Sequence, residues 1–282
     1  MVVVVTGASG QLGQSLQFIA PNYPEITFHF YNSSELNITD LENCKTNFSK
    51  VKPDFCINAA AYTAVDKAES EPEKAYSINV TGAENLAKVC KEFDTVLLHI
   101  STDFVFDGNA SQPYTEEDIP NPTCVYGQTK LDGEKAIQKL WEKHFIIRTS
   151  WVYSQFGNNF MRTLLRLGAE RDSLSVVDDQ IGTPTNAIDL AEAIMTIALT
   201  YNLQPTTDNF GIFNFSNEGQ CSWYNFAKKI FEIHKIKIDL QAIPTTSYPT
   251  PAKRPSYSVL DKSKIKEVFG IENKKWEESL KK

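Results

Sequence analysis

A β-branched run, Val2-Val3-Val4-Val5-Thr6, leads straight into Gly7-Ala8-Ser9-Gly10-Gln11-Leu12-Gly13 at the start of the chain. The run predicts a strand buried on both faces, and the G-x-x-G-x-x-G that follows predicts a tight turn opening a helix. Glycines there let the backbone approach a pyrophosphate and let the helix pack on the sheet. The helix N-terminus meanwhile presents free N–H groups to the anion. Gly7, Gly10, Gln11, Leu12 and Gly13 are therefore expected at a dinucleotide.

The rhythm continues through the first half. Apolar strand-like runs at Ile26 to Tyr31, Phe55 to Asn58, Val96 to Ser101 and Phe145 to Arg148 alternate with helical patterns at Gln11 to Ile19, Leu41 to Ser49, Pro72 to Phe93 and Tyr126 to Lys143. Because β-crossover-β connections are right-handed, this α/β series predicts a doubly wound parallel Rossmann sheet. After Thr149 the alternation weakens: helices are expected at Asn159 to Gly168, Ile188 to Thr200, Trp223 to His234, Lys262 to Phe269 and Trp276 to Lys281, with short strands at Ser175 to Val177 and Gly211 to Phe215. Four prolines between Pro244 and Pro255 predict a loop. The expected division is a dinucleotide-binding domain over 1–150, with parts of 175–216 returning to it, and a smaller C-terminal substrate-binding domain over 151–282.

Composition narrows the function. With 28 Lys and Arg against 35 Asp and Glu, the net charge of −7 argues against a nucleic-acid partner. Five scattered cysteines form no C-x-x-C pair and four histidines no H-E-x-x-H, so neither disulfides nor a metal site is expected. No stretch approaches membrane-spanning length, and the apolar N-terminus is too short for a signal peptide, so a cytoplasmic setting is expected.

Chemistry concentrates at Ser101-Thr102-Asp103-Phe104, at the end of a strand, and Tyr126-Gly127-Gln128-Thr129-Lys130, at the start of a helix. Tyr126 and Lys130, four apart, share a helix face. A neighbouring ammonium, helped by a cationic nicotinamide, favours the phenolate and makes the pair a tuned acid. Thr102 adds a hydroxyl donor for a carbonyl oxygen gaining charge during hydride delivery. The second strand ends Phe30-Tyr31-Asn32-Ser33-Ser34, with neither the acidic residue of NAD sites nor the arginine of NADP sites, so the choice between NADH and NADPH stays open. Asp66 and Glu69 are expected on a solvated helix, without a catalytic role.

Together with Asn58-Ala59-Ala60-Ala61, Ala64-Val65-Asp66-Lys67-Ala68-Glu69, Arg148-Thr149-Ser150-Trp151-Val152-Tyr153, Asp179-Gln180-Ile181-Gly182-Thr183-Pro184-Thr185 and Thr250-Pro251-Ala252-Lys253-Arg254-Pro255, these motifs span most of the chain. The sequence resembles the extended short-chain dehydrogenase/reductase superfamily, and within it the dTDP-4-dehydrorhamnose reductases. That resemblance implies NAD(P)H-dependent reduction of the C4 ketone of a dTDP-sugar substrate, dTDP-4-dehydro-L-rhamnose. It places Thr102, Tyr126 and Lys130 on catalytic positions, Gly10, Gln11, Leu12, Ala61, Tyr62 and Thr63 at the cofactor, and Asp103 and Trp151 at the sugar. Arg254 is read either as a partner for the substrate diphosphate or as a surface ion pair. Relatives often carry Tyr where this chain has Phe104, and some bridge a metal-dependent homodimer from an acidic residue where this chain has Ser15; dimerisation is left open.

Two rivals share the resemblance. Dehydratases place Asp-Glu after the catalytic Thr, whereas Phe104 follows Asp103 here, and epimerases carry an acidic residue after the second strand, which this chain lacks. A regulatory subunit like that of methionine adenosyltransferase would work through assembly, and the complete set of Thr102, Tyr126 and Lys130 favours an enzyme over it.

Overall fold

The computed structural model describes residues 1–205 and 209–281. The strands are β1 (Val2–Thr6), β2 (Thr27–Tyr31), β3 (Phe55–Asn58), β4 (Val96–Thr102), β5 (His144–Thr149), β6 (Val152–Tyr153), β7 (Ser173–Val177), β8 (Ile181–Gly182), β9 (Thr185–Asn186), β10 (Gly211–Asn214), β11 (Cys221–Ser222) and β12 (Asp239–Ile243). The helices are α1 (Gln11–Ile19), α2 (Leu41–Val51), α3 (Val65–Ala68), α4 (Pro72–Tyr76), α5 (Gly82–Glu92), α6 (Val125–Leu140), α7 (Phe160–Glu170), α8 (Ala187–Leu203), α9 (Trp223–Ile233), α10 (Ser263–Phe269) and α11 (Trp276–Ser279).

Six strands form one parallel sheet in the order β2-β1-β3-β4-β5-β10. Strand order reverses between β1 and β3, which opens a crevice at their C-terminal ends. Alternating side chains explain the double cover: Val3 and Val5 face a core built with α1 and α8, whereas Val4 faces one built with α2, α5 and α6. A third core joins α7, α9 and α11 through Leu164, Phe226, Ile230 and Trp276. Beside it β7 pairs with β12 in parallel.

The helix expected over Pro72 to Phe93 is interrupted, because Ser77–Thr81 forms a π-turn between α4 and α5. Asn79, inside that turn, accepts from the Tyr62 N–H at 2.9 Å and donates to Thr129 Oγ1 at 3.1 Å. Its carbonyl abuts Gly133, where a Cβ would lie 2.3 Å away. Helix α6 begins at Val125 and stops at Leu140, short of the expected Lys143. Its first N–H groups are satisfied by Glu69 Oε1, 2.8 Å from Val125 N, and by Cys124 Sγ, 3.5 Å from Gly127 N. Glu69 thus holds the start of α6 and is not merely solvated.

Candidate active site

The glycine turn is shaped by close approach. Gly7 takes φ +68°, and a Cβ on it would fall 2.6 Å from Ala60 N; one on Gly13 would fall 2.4 Å from Gly7 O. Neither lines the crevice, so these two glycines, expected at the cofactor, act through the turn. The first i→i−4 bond of the helix is Gln14 N–H to Gly10 O at 2.9 Å, so the N–H groups of Gln11, Leu12 and Gly13 precede the helical ladder. Gly10, Gln11 and Leu12 face a cleft of about 720 Å³, as do Ala59, Ala60, Ala61 and Thr63.

The opposite wall of this cleft brings Thr102, Asp103, Phe104, Tyr126, Lys130 and Trp151 together, as the sequence leads one to expect. Strand β4 runs on to Thr102, whose hydroxyl donates to Asp103 Oδ1 at 3.0 Å and accepts from the Phe104 N–H at 3.2 Å. Phe104 sets its ring edge-on to Tyr126, with centroids 5.5 Å apart. Lys130 is buried and donates to Ile100 O at 2.6 Å, with His99 Nε2 at 3.3 Å.

Burial governs the electrostatics here. It pushes the Tyr126 phenol well above its usual range, only partly offset by the Thr102 hydroxyl, so the phenol stays protonated. Desolvation, and not the ammonium effect expected from sequence, governs the phenol in the protein alone. Burial also brings Lys130 down to about 8, against Glu134, which favours the ammonium. Glu134 itself forms a buried ion pair with Arg148, 2.7 Å from Nη2, and accepts from Ser101, so β4, β5 and α6 are tied beneath the cleft.

Other expectations are corrected. Tyr62 turns away from the cleft: its hydroxyl donates to Glu71 Oε2 at 2.9 Å and its ring packs with Ala68 and Ala75. The Tyr62 side chain thus belongs to the core beside the cleft and not to its lining. Asp66 is not a free carboxylate, because it holds Arg254 through two bonds of 2.9 and 2.8 Å. That pair keeps the Asp66 carboxyl below its ordinary value. The ion-pair reading of Arg254 is thus the one observed, and the residue also lines both the cleft and an adjoining cavity of about 380 Å³.

Trp151 does not stand alone. It has φ +47°, sparsely used by bulky residues, and stacks on Trp223 with ring centroids 3.5 Å apart and planes 10° from parallel. A Cβ on Gly182 would lie 2.5 Å from the Trp151 ring, so that glycine makes room for the indole. The sequence motifs include Asn159 and Phe160 without giving them a place in the site, and Trp223 and His99 carried no signal. Asn159 caps α7 and donates to Gln11 Oε1 at 2.9 Å, linking α7 to the glycine turn. Its place in Gly157-Asn158-Asn159-Phe160, just ahead of a helical pattern, was the available signal.

A dinucleotide fits these residues. The turn is built so closely that any Cβ on Gly7 or Gly13 would displace it, and it aims unladdered N–H groups at a cleft of suitable size.

The RmlD substrate binding domain family matches residues 1–282. A dTDP-4-dehydrorhamnose reductase of Aggregatibacter actinomycetemcomitans is 42% identical over 285 residues, covering 99% of this chain and 97% of the relative. A solved dTDP-4-dehydrorhamnose reductase of Clostridium acetobutylicum superposes with TM-score 0.94 at 40% identity, covering 100% of this chain and 97% of that one. Another, from Bacillus anthracis in complex with NADP, gives TM-score 0.92 at 39% identity, covering 99% and 96%. With motifs, sheet order and cleft all in agreement with matches over its whole length, this chain belongs to the RmlD substrate binding domain family of dTDP-4-dehydrorhamnose reductases.

Proposed function

We propose that this chain reduces the C4 ketone of dTDP-4-dehydro-L-rhamnose to give dTDP-L-rhamnose, using NADPH, as an oxidoreductase of class EC 1.1.1 acting on a CH–OH group. The names of its relatives and the NADP in the Bacillus anthracis structure support the choice of substrate and cofactor. The observation that carries the reaction type is the meeting of Thr102, Tyr126 and Lys130 on one cleft with the glycine turn. When bound, the cofactor supplies the hydride. Gly10, Gln11 and Leu12 would receive its pyrophosphate, and Ala61 and Thr63 would flank it.

The chain's own residues supply the rest. Tyr126, kept protonated by burial, donates its phenolic proton to the ketone oxygen as that oxygen becomes an alkoxide. Thr102, whose hydroxyl bonds Asp103 in the free protein, turns it to the same oxygen. Lys130 holds the ribose and stabilises the phenolate left on Tyr126. Asp103 and the Trp151–Trp223 pair meet the sugar, and Arg254, held by Asp66, meets the diphosphate. The substrate-binding part is the region beyond residue 150 that carries the third core, with β10 and α8 returned to the sheet. All five cysteines are free and buried, which fits a reducing cytoplasm.

The test is oxidation of NADPH, and separately NADH, with dTDP-4-dehydro-L-rhamnose and its UDP counterpart, followed by chromatography of the product. Tyr126→Phe should lower kcat by roughly a hundredfold or more, the scale of positioned acid catalysis, and leave cofactor binding unchanged. Retained turnover in that variant would refute the mechanism, and isomerisation without net oxidation would refute the reaction.

A further inference from the structure

A buried polar chain leads from Thr6 to Lys130, and of its members the reaction above uses Lys130 alone. Thr6 Oγ1 donates to Asn58 Oδ1 at 2.7 Å, Asn58 Nδ2 lies 2.9 Å from His99 Nδ1, and His99 Nε2 lies 3.3 Å from Lys130 Nζ. All four residues are at most 2% exposed.

The backbone N–H of Ala60 points at Asn58 Oδ1 at 3.2 Å, and a backbone N–H can only donate, so that atom is the carbonyl oxygen. The other end of the amide is then NH₂, also donor-only, and His99 Nδ1 must accept from it. A neutral imidazole with a bare Nδ1 carries its proton on Nε2, which faces the lysine nitrogen. An ammonium at that place would set donor against donor, whereas a neutral amine offers its lone pair to Nε2–H and still donates to Ile100 O.

We propose that His99 is a positioning residue for Lys130: its Nε2–H, fixed by the Asn58 amide, favours the neutral amine and so sets the pH above which the site loses its ammonium. The groups around the pair agree. Burial keeps His99 neutral by pushing it well below its usual range, with Lys130 and His144 of β5 adding to that push. His144 is itself held down by burial. Glu134, one turn along α6, favours the ammonium, but its oxygens are already engaged by Arg148 and Ser101. Tyr126, one turn back, stays an uncharged phenol, and Asp103, just past β4, gives its contacts to Thr102 and Ser258.

Two measurements test this, and the second rests on the reductase reading. Long-range proton–nitrogen NMR on the full chain with labelled histidine should show, among its four histidines, one locked in the Nε2–H tautomer. That signal should not titrate between about pH 5.5 and 8.5 and should vanish in His99→Leu. An Nδ1–H tautomer, or titration near 6.5, overturns the proposal. In the reductase assay the alkaline limb of kcat/KM should fall with a midpoint near 8 in the wild type. It should move up by about half to one pH unit in His99→Leu, where no N–H opposes the ammonium. Should that variant fail to fold, His99→Gln serves, because its amide oxygen can accept from the ammonium and the shift has the same sign. An unmoved midpoint, whatever the loss in kcat, overturns the proposal. A wild type without turnover would count against the reductase reading alone, since the tautomer is read without substrate.

Discussion

Asp103 keeps a carboxyl group where water scarcely reaches, at 2% exposure beside the proposed reacting oxygen. Burial raises it from 3.8 to about 6, although bonds from Ser258 and Thr102 pull the other way, and Oδ2 has no partner. For a carboxyl whose folded value is raised, the native state binds more protons than the unfolded chain between those two values. Its contribution to stability is therefore full below pH 4 and is lost as the pH rises through about 6. Asp103→Asn should stabilise the fold by about 1 to 3 kcal/mol at pH 7.5, and by much less near pH 4. Urea titrations at both pH values check this, and an equal gain at both would show that the charge is not the cause. At this scale the sequence was most telling where local spacing sufficed. Thr102 and Asp103 end a strand, and Tyr126 and Lys130 lie one helical turn apart, so their meeting follows from two elements. His99 and Trp223 were silent because their partners, Asn58 and Trp151, lie 41 and 72 positions away in the chain.

Among the elements, β1 with its turn and α1 was fully legible. A valine run can be little else than a buried strand, and glycines so spaced serve close packing. The packing has a measurable consequence. Because a Cβ at position 13 would meet Gly7 O at 2.4 Å and Ala8 Cα at 2.6 Å, Gly13→Ala must push α1 off the turn. The expected cost is about 1 to 3 kcal/mol of stability, typical of overpacking, together with weakened NADPH binding. Calorimetry and cofactor titration would show both, and a variant with unchanged Tm would contradict the geometry. The interrupted helix at Ser77–Thr81 was not legible, because apolar periodicity runs through it and only the distant Tyr62 and Thr129 draw Asn79 out of register. β12 was missed as well: Asp239, Gln241 and Ala242 are exposed, so its pairing with β7 leaves little apolar signal.

For the whole molecule, a parallel sheet with helices on both faces could be read in advance because nearly every crossover is right-handed. Parts of 175–216 were expected to return to the first domain, but spacing alone did not disclose where the late segments dock. β10 completes the sheet beside β5, α8 packs on α1, and Arg254 reaches back 188 positions to Asp66. Each depends on contacts far apart in the chain, which periodicity does not encode. The cleft is consequently assembled from both ends of the sequence, and one part of its lining is an aromatic pair. Two indoles so near should couple their transitions, and the expected signature is a paired positive and negative band in the circular dichroism spectrum near 220 nm. A nucleotide sugar settling against Trp151 should shift or dampen that couplet, whereas NADPH alone, on the glycine side, should leave its shape intact. Replacing Trp223 with phenylalanine should erase it, and a couplet indifferent to the nucleotide sugar would place that ligand away from the pair.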